Sequence, residues 1–147
     1  MKTVKFIGMI VLSLFLSLNF ASCSKEDVDS SEIVGEWFLK SDVGYEINKS
    51  TGDKDEWNEV ESEYTEKVVI KKVEGNIYQG ESFTKNNGEW KSDGAVKFKL
   101  EGNKLIPQSV DDSEEMTIKT LTSDKMVLVF SYEDDEYKIY NEITYVR

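Results

Sequence analysis

The chain has 147 residues, room for one domain and a short appendage, with 29 acidic against 18 basic side chains, no histidine and a formal net charge of −11. That balance repels phosphate backbones and argues against a nucleic-acid partner, and the missing imidazole removes His-based triads, Cys-His nucleophiles and His-zinc sites. A single cysteine permits no intrachain disulfide, so a core must close on packing alone, for which three tryptophans, seven tyrosines and seven phenylalanines supply apolar area.

The first element is a leader. Lys2 and Lys5 precede an apolar run from Phe6 to Leu18, and the small residues Ala21 and Ser22 stand directly before Cys23. This pattern predicts a signal peptide over residues 1–22, because a lasting membrane helix needs about 20 apolar residues and the run is shorter. The surroundings of Cys23 resemble a bacterial lipobox, with Phe20 where leucine is usual. The resemblance implies cleavage before Cys23, a diacylglycerol on its thiol, an acyl chain on its amine and hence a lipid anchor in the membrane. Several chains hold a protein stably where one does not, at roughly 0.8 kcal/mol per buried methylene.

"SKEDVDSSE" follows, polar and without periodicity, so residues 23–32 read as a lipidated flexible tether. Its acidic start, Lys25, Glu26 and Asp27, resembles the signal that sends lipoproteins of Bacteroidota to the outer face of the outer membrane. A surface-exposed, lipid-anchored location is implied, with the periplasmic face as the alternative.

From Ile33 the apolar residues recur with period two, as in half-buried antiparallel strands. Ile33, Gly35, Trp37, Leu39, Ser41, Val43, Tyr45 and Ile47 share one face of a long first strand. "DEWNEVESEYTEKV" reads as a strand with Val60, Tyr64, Val68 and Ile70 inward. Further on, Val96, Phe98 and Leu100 alternate with polar neighbours, as do Met126, Leu128, Phe130 and Tyr132, although Val127 and Val129 give that strand a second apolar face. Tyr137, Ile139, Ile143 and Tyr145 form a last inward row that also holds Asn141. Turn signals such as "EGN", "KNNGE", "TSDK" and "EDDE" separate these runs, which indicates an all-β sandwich or up-and-down barrel. "GEW" occurs at Gly35 and again at Gly88, and in both places glycine would let the backbone approach a neighbour while Trp37 or Trp90 fills the core.

Five segments in order resemble the small lipocalin-like domains found on lipoproteins of Bacteroidota: "IVGEWFL", "NNGEWKSDG", "LEGNKLI", "MTIKTLTSDKMVLVF" and "ITYVR". The resemblance implies an antiparallel up-and-down β-barrel of about eight strands over residues 33–147. It also implies that Trp37, beside Gly35, packs across the closed end beneath Arg147, the sole arginine. The cysteine bridge of many lipocalins is missing.

A barrel of about eight strands either fills with side chains or holds one small ligand. Tyr45, Tyr64, Phe98, Phe130, Tyr132 and Tyr137 are the candidate ligand contacts. The acidic clusters at Asp53, Asp111 and Glu133 lie in predicted turns, and an EF-hand loop begun at Asp53 meets Asn58 and Tyr64 where glycine and glutamate are needed. Neither metal nor cofactor is expected. The function expected is a membrane-anchored, non-catalytic module that binds a small amphipathic or hydrophobic molecule. The alternatives are a protein-interaction module acting through acidic loops and a carboxylate-based hydrolase.

Overall fold

The computed structural model describes residues 28–108 and 115–147, so the leader, Cys23 and most of the "DDSEE" loop lie outside the described residues. Nine strands follow one another without a helix among the described residues: β1 (Gly35–Asn48), β2 (Lys54–Val60), β3 (Glu66–Glu74), β4 (Ile77–Asn86), β5 (Glu89–Glu101), β6 (Lys104–Pro107), β7 (Met116–Leu121), β8 (Lys125–Glu133) and β9 (Tyr137–Val146). From β3 onward each strand pairs with the next, and β9 returns onto β1. The first residues of β1 pair with β3, Trp37 opposite Val68, which closes an antiparallel circuit of eight strands. β2 is the additional ninth strand and pairs with the second half of β1, from Ser41 opposite Val60 to Ile47 opposite Lys54.

Short turns carry the circuit. Between β4 and β5, Asn87 and Gly88 both have positive φ, 52° and 85°, the conformation of the two-residue hairpin whose twist matches its strands. Between β1 and β2, the Asn48 carboxamide oxygen accepts from the amides of Ser50 and Thr51, and the amide of Asn48 donates to the Asp53 carbonyl.

Residues paired across a ladder share a face of the sheet, so the register sorts inner from outer side chains. Trp37, Val68, Ile70, Tyr78, Phe98, Leu100, Leu105, Ile118, Met126, Leu128 and Tyr145 face inward, and most belong to one buried cluster. The expected faces of β5, β8 and β9 are present. β1 departs from its expected face at Lys40, a bulge between Leu39, opposite Tyr145, and Ser41, opposite Thr144. One extra residue exchanges the two faces of everything beyond it. Ser41, Val43, Tyr45 and Ile47 therefore face outward, and Asp42, Gly44 and Glu46 face inward. The expected strand through "DEWNEVESEYTEKV" is also two strands and a loop, which leaves Val60 62% exposed and Tyr64 outside the barrel.

One end of the barrel is closed. The β3–β4, β5–β6 and β7–β8 turns gather there with the start of β1 and the end of β9. Trp37 is fully buried, and its Nε1 donates to the Ile33 carbonyl at 2.9 Å. Over its ring lies Arg147, with Cζ 3.9 Å from the centroid. The guanidinium donates to the carbonyls of Glu32, Val34 and Ser123 at 2.6, 2.7 and 3.1 Å, so three chain segments are tied at one point.

Candidate functional site

Above this floor the barrel is hollow. A cavity of ≈ 310 Å³ lies between the walls, lined by Val68, Ile70, Ser82, Val96, Phe98, Leu105, Pro107, Met116, Met126, Leu128 and Tyr145. Two small side chains make the space. Gly80 presents no Cβ between Val68 and Phe98, and Ser82 brings a short hydroxyl side chain to a wall that is apolar apart from it and Tyr145. Val96 faces inward yet is 53% exposed, which marks the side on which the cavity meets solvent.

The polar groups of the site gather around Tyr145. Tyr145 lines the cavity, and burial, with smaller contributions from the Glu66 and Asp42 carboxylates, pushes its hydroxyl up to about 12 from 10.0. Glu66 stands on β3 two residues beyond Val68 and on the same inner face. Asp42 stands on β1 opposite Ile143 and accepts a hydrogen bond from Trp57 Nε1 at 2.7 Å. The Trp57 indole lies on Gly44, where a Cβ would overlap the ring and the Tyr140 carbonyl oxygen. On the other side of Gly44 is Asn141, whose Oδ1 is buried without a hydrogen-bond partner among the described residues. An unmet buried acceptor costs about 1–3 kcal/mol, so this oxygen is set to receive a donor.

The expected contact residues separate into three groups. Phe98 lines the cavity. Phe130, Tyr132 and Tyr137 face inward but lie beyond the rim, where Phe130 opposes Asn141 and the Tyr132 hydroxyl donates to Asp134 at 2.7 Å. Tyr45 and Tyr64 are outside the barrel. The Lys40 bulge turns Tyr45 outward, onto Tyr140 at a ring separation of 5.7 Å. Tyr64 sits in the β2–β3 loop against Phe38 at 5.3 Å. Trp90, expected in the core, is likewise on the outer wall, 6.1 Å from Phe38. There Lys67 Nζ lies 4.6 Å from the Trp90 centroid and 5.4 Å from that of Phe83, and it forms an ion pair with Glu36.

Period-two reading passed over Gly80, Ser82, Asp42, Glu66 and Trp57. Charged residues in a strand are ordinarily assigned to the solvent side, and only the bulge shows that Asp42 belongs inside.

The acidic turn at Glu133 to Glu136 is engaged internally. Asp134 accepts from the amides of Tyr137 and Glu136 and from the Tyr132 hydroxyl, which together hold its carboxyl below the usual carboxylate range. Glu133 pairs with Lys49 at 2.8 Å and Lys138 at 3.6 Å. Among the described residues no group of three His, Cys, Asp or Glu side chains is placed to hold a metal ion.

Compared with known proteins, residues 33–128 match the family model of the lipocalin-like domain, and the chain belongs to that family. The match runs from the segment under Arg147 through β7 and into β8, while β9, which closes the circuit on β1, lies past it. No curated protein matches the chain.

Proposed function

We propose that this lipocalin-like protein is a non-catalytic binding module that takes a small hydrophobic or amphipathic molecule into its barrel. One observation carries the reading: an apolar cavity of ≈ 310 Å³, closed at the Trp37 end and open beside Val96. That volume lies at the lower end of the range of about 300–1,000 Å³ typical of small-molecule sites, which favours a ligand smaller than most drugs. Apolar walls with Ser82 and Tyr145 as polar marks suit a guest that is mostly hydrocarbon with one polar end. Membership of a family whose barrel typically encloses small hydrophobic molecules supports the same reading.

Cys23 carries lipid, and the tether holds the barrel at the outer membrane, displayed on the cell surface. The leader and the residues around Cys23 support this part.

Native mass spectrometry of the protein isolated from its own host tests the binding role. The expected result is added mass that leaves on mild activation and is absent after refolding from denaturant. A protein that comes off its membrane empty, and takes up no small amphiphile afterward, would end the reading. Fatty-acid labelling of the wild type but not of Cys23→Ala is the expected result for the anchor.

A further inference from the structure

The charge around the mouth is one-sided. Asp42 and Glu46 on β1, Asp55 and Glu59 on β2 and Glu66 on β3 are placed on the inner face by their registers. Cations on that face are few. Lys91 stands at the β4–β5 hairpin beside Glu89, which offsets it, and Lys72 is at the closed end, 6.0 Å from the Tyr78 ring centroid. Ion pairs elsewhere neutralise many of the outer carboxylates, among them Glu36, Glu56, Glu101, Glu133 and Glu142. Asp42 and Glu66 have no ion-pair partner among the described residues, although both are on the inner face and both act electrostatically on Tyr145.

Hydrogen-bonding capacity there is one-sided in the same sense. A carboxylate only accepts, Asp42 has one oxygen left after Trp57, and Asn141 Oδ1 is a buried acceptor with no donor among the described residues. A group entering between these residues is favoured if it brings N–H donors and positive charge. A carboxylate head would meet like charge and find few donors. Tyr145, on which both carboxylates act, also lines the apolar cavity.

We propose that the molecule held by the barrel is a hydrophobic amine, with its hydrocarbon in the cavity and its ammonium group between Asp42 and Glu66, within reach of Asn141. This rests on the binding role proposed above and adds the class of ligand. The carboxylates supply charge attraction and acceptors, the cavity supplies apolar burial, and neither alone selects the molecule.

Calorimetric titration of the full chain with decylammonium, decanol and decanoate separates these contributions, since the three share one alkyl chain and differ in the head. Decylammonium is expected to bind about tenfold more tightly than decanol, with decanoate weakest. The advantage of the amine should disappear in the double variant Asp42→Asn, Glu66→Gln. That variant should still take up decanol, which also reports that its barrel is intact. Equal binding of all three, or tighter binding of decanoate, overturns the amine assignment and leaves the binding role standing. Failure of all three to bind the wild type overturns both.

Discussion

Gly35 and Arg147 are fitted to one another: a Cβ on Gly35 would lie 3.0 Å from Nη2 of Arg147, the nitrogen that donates to the Glu32 and Val34 carbonyls. Gly35 also has φ of 139°, a conformation that side chains of L-residues rarely adopt. Gly35→Ala should therefore destabilise the barrel by about 1–3 kcal/mol in urea unfolding, through backbone strain and displacement of the guanidinium together. Arg147→Lys keeps the charge but loses the planar fork, and a cycle of Arg147→Lys with Trp37→Phe should give a coupling of about 0.5–2 kcal/mol. Strictly additive losses would show that the stacked pair contributes nothing beyond its separate contacts.

Gly80 offers a way to fill the cavity without straining the chain. A Cβ there would meet Phe98 Cε1 and Val68 Cγ2 at 3.5 Å, an ordinary contact, so the branches of a leucine would extend into the hollow. Gly80→Leu should abolish uptake of decanol while changing stability by less than about 1.5 kcal/mol. Undiminished uptake in a folded variant would place the ligand elsewhere.

Tyr145 gives the fold an alkaline limit. Its hydroxyl is pushed up to about 12 in the barrel, chiefly by burial, whereas an unfolded chain ionises it near 10.0. The raised value means that its contribution is complete below the unfolded value and is lost as pH climbs from there toward the folded one. The slope is at most about 1.4 kcal/mol per pH unit, and urea unfolding between about pH 10 and 12 should show it. Tyr145→Phe should flatten that decline. An equally steep decline in the variant would assign it to other tyrosines.

Lys67 is an outer-wall residue with an interior role. Its side chain is only 14% exposed, lies above the rings of Trp90, Phe83 and Phe38, and pairs with Glu36. Lys67→Ala should cost about 1–2 kcal/mol and lose little of that penalty in high salt, because the stem packs and the charge is shielded from solvent. Lys104, paired with Glu115 on the surface at 52% exposure, is the control, and its alanine variant should stay within about 0.5 kcal/mol of wild type. Equal effects at the two positions would remove any special role from the aromatic setting.

Much of the barrel could be read in advance because alternation along a strand records which face is wet. Met126, Leu128, Ile143 and Tyr145 repeat every second residue, and the ladder sets them on one side. Alternation records wetness, however, and not the side of the wall. Beyond Lys40 the inner face carries Asp42 and Glu46 since it borders an aqueous mouth, while the outer face carries Val43 and Tyr45 since neighbouring strands half cover them. Polarity there mimics the reverse orientation, and no local signal marks the bulge. Trp90 misleads for a related reason: a tryptophan can be sheltered on the outside when Phe38 and a lysine cover it. Of the expected contact residues Phe98 lines the cavity, and Val68, Ile70, Val96, Met126, Leu128 and Tyr145 on its wall follow the inward alternation, but the hollow is made by what Gly80 and Ser82 lack, and absence of volume leaves no trace in a hydrophobic pattern.

β2 pairs with β1 along one side only, so among the described residues its other side is a row of backbone donors and acceptors with no neighbouring strand. Such a margin invites a second molecule to dock alongside and begin a growing ribbon. Four of the seven residues from Lys54 to Val60 are ionised, three of them negative, and the whole chain is strongly anionic. Two molecules that approach margin to margin thus bring like charges together at strand spacing, and crowding many copies into a small area need not lead to fibres.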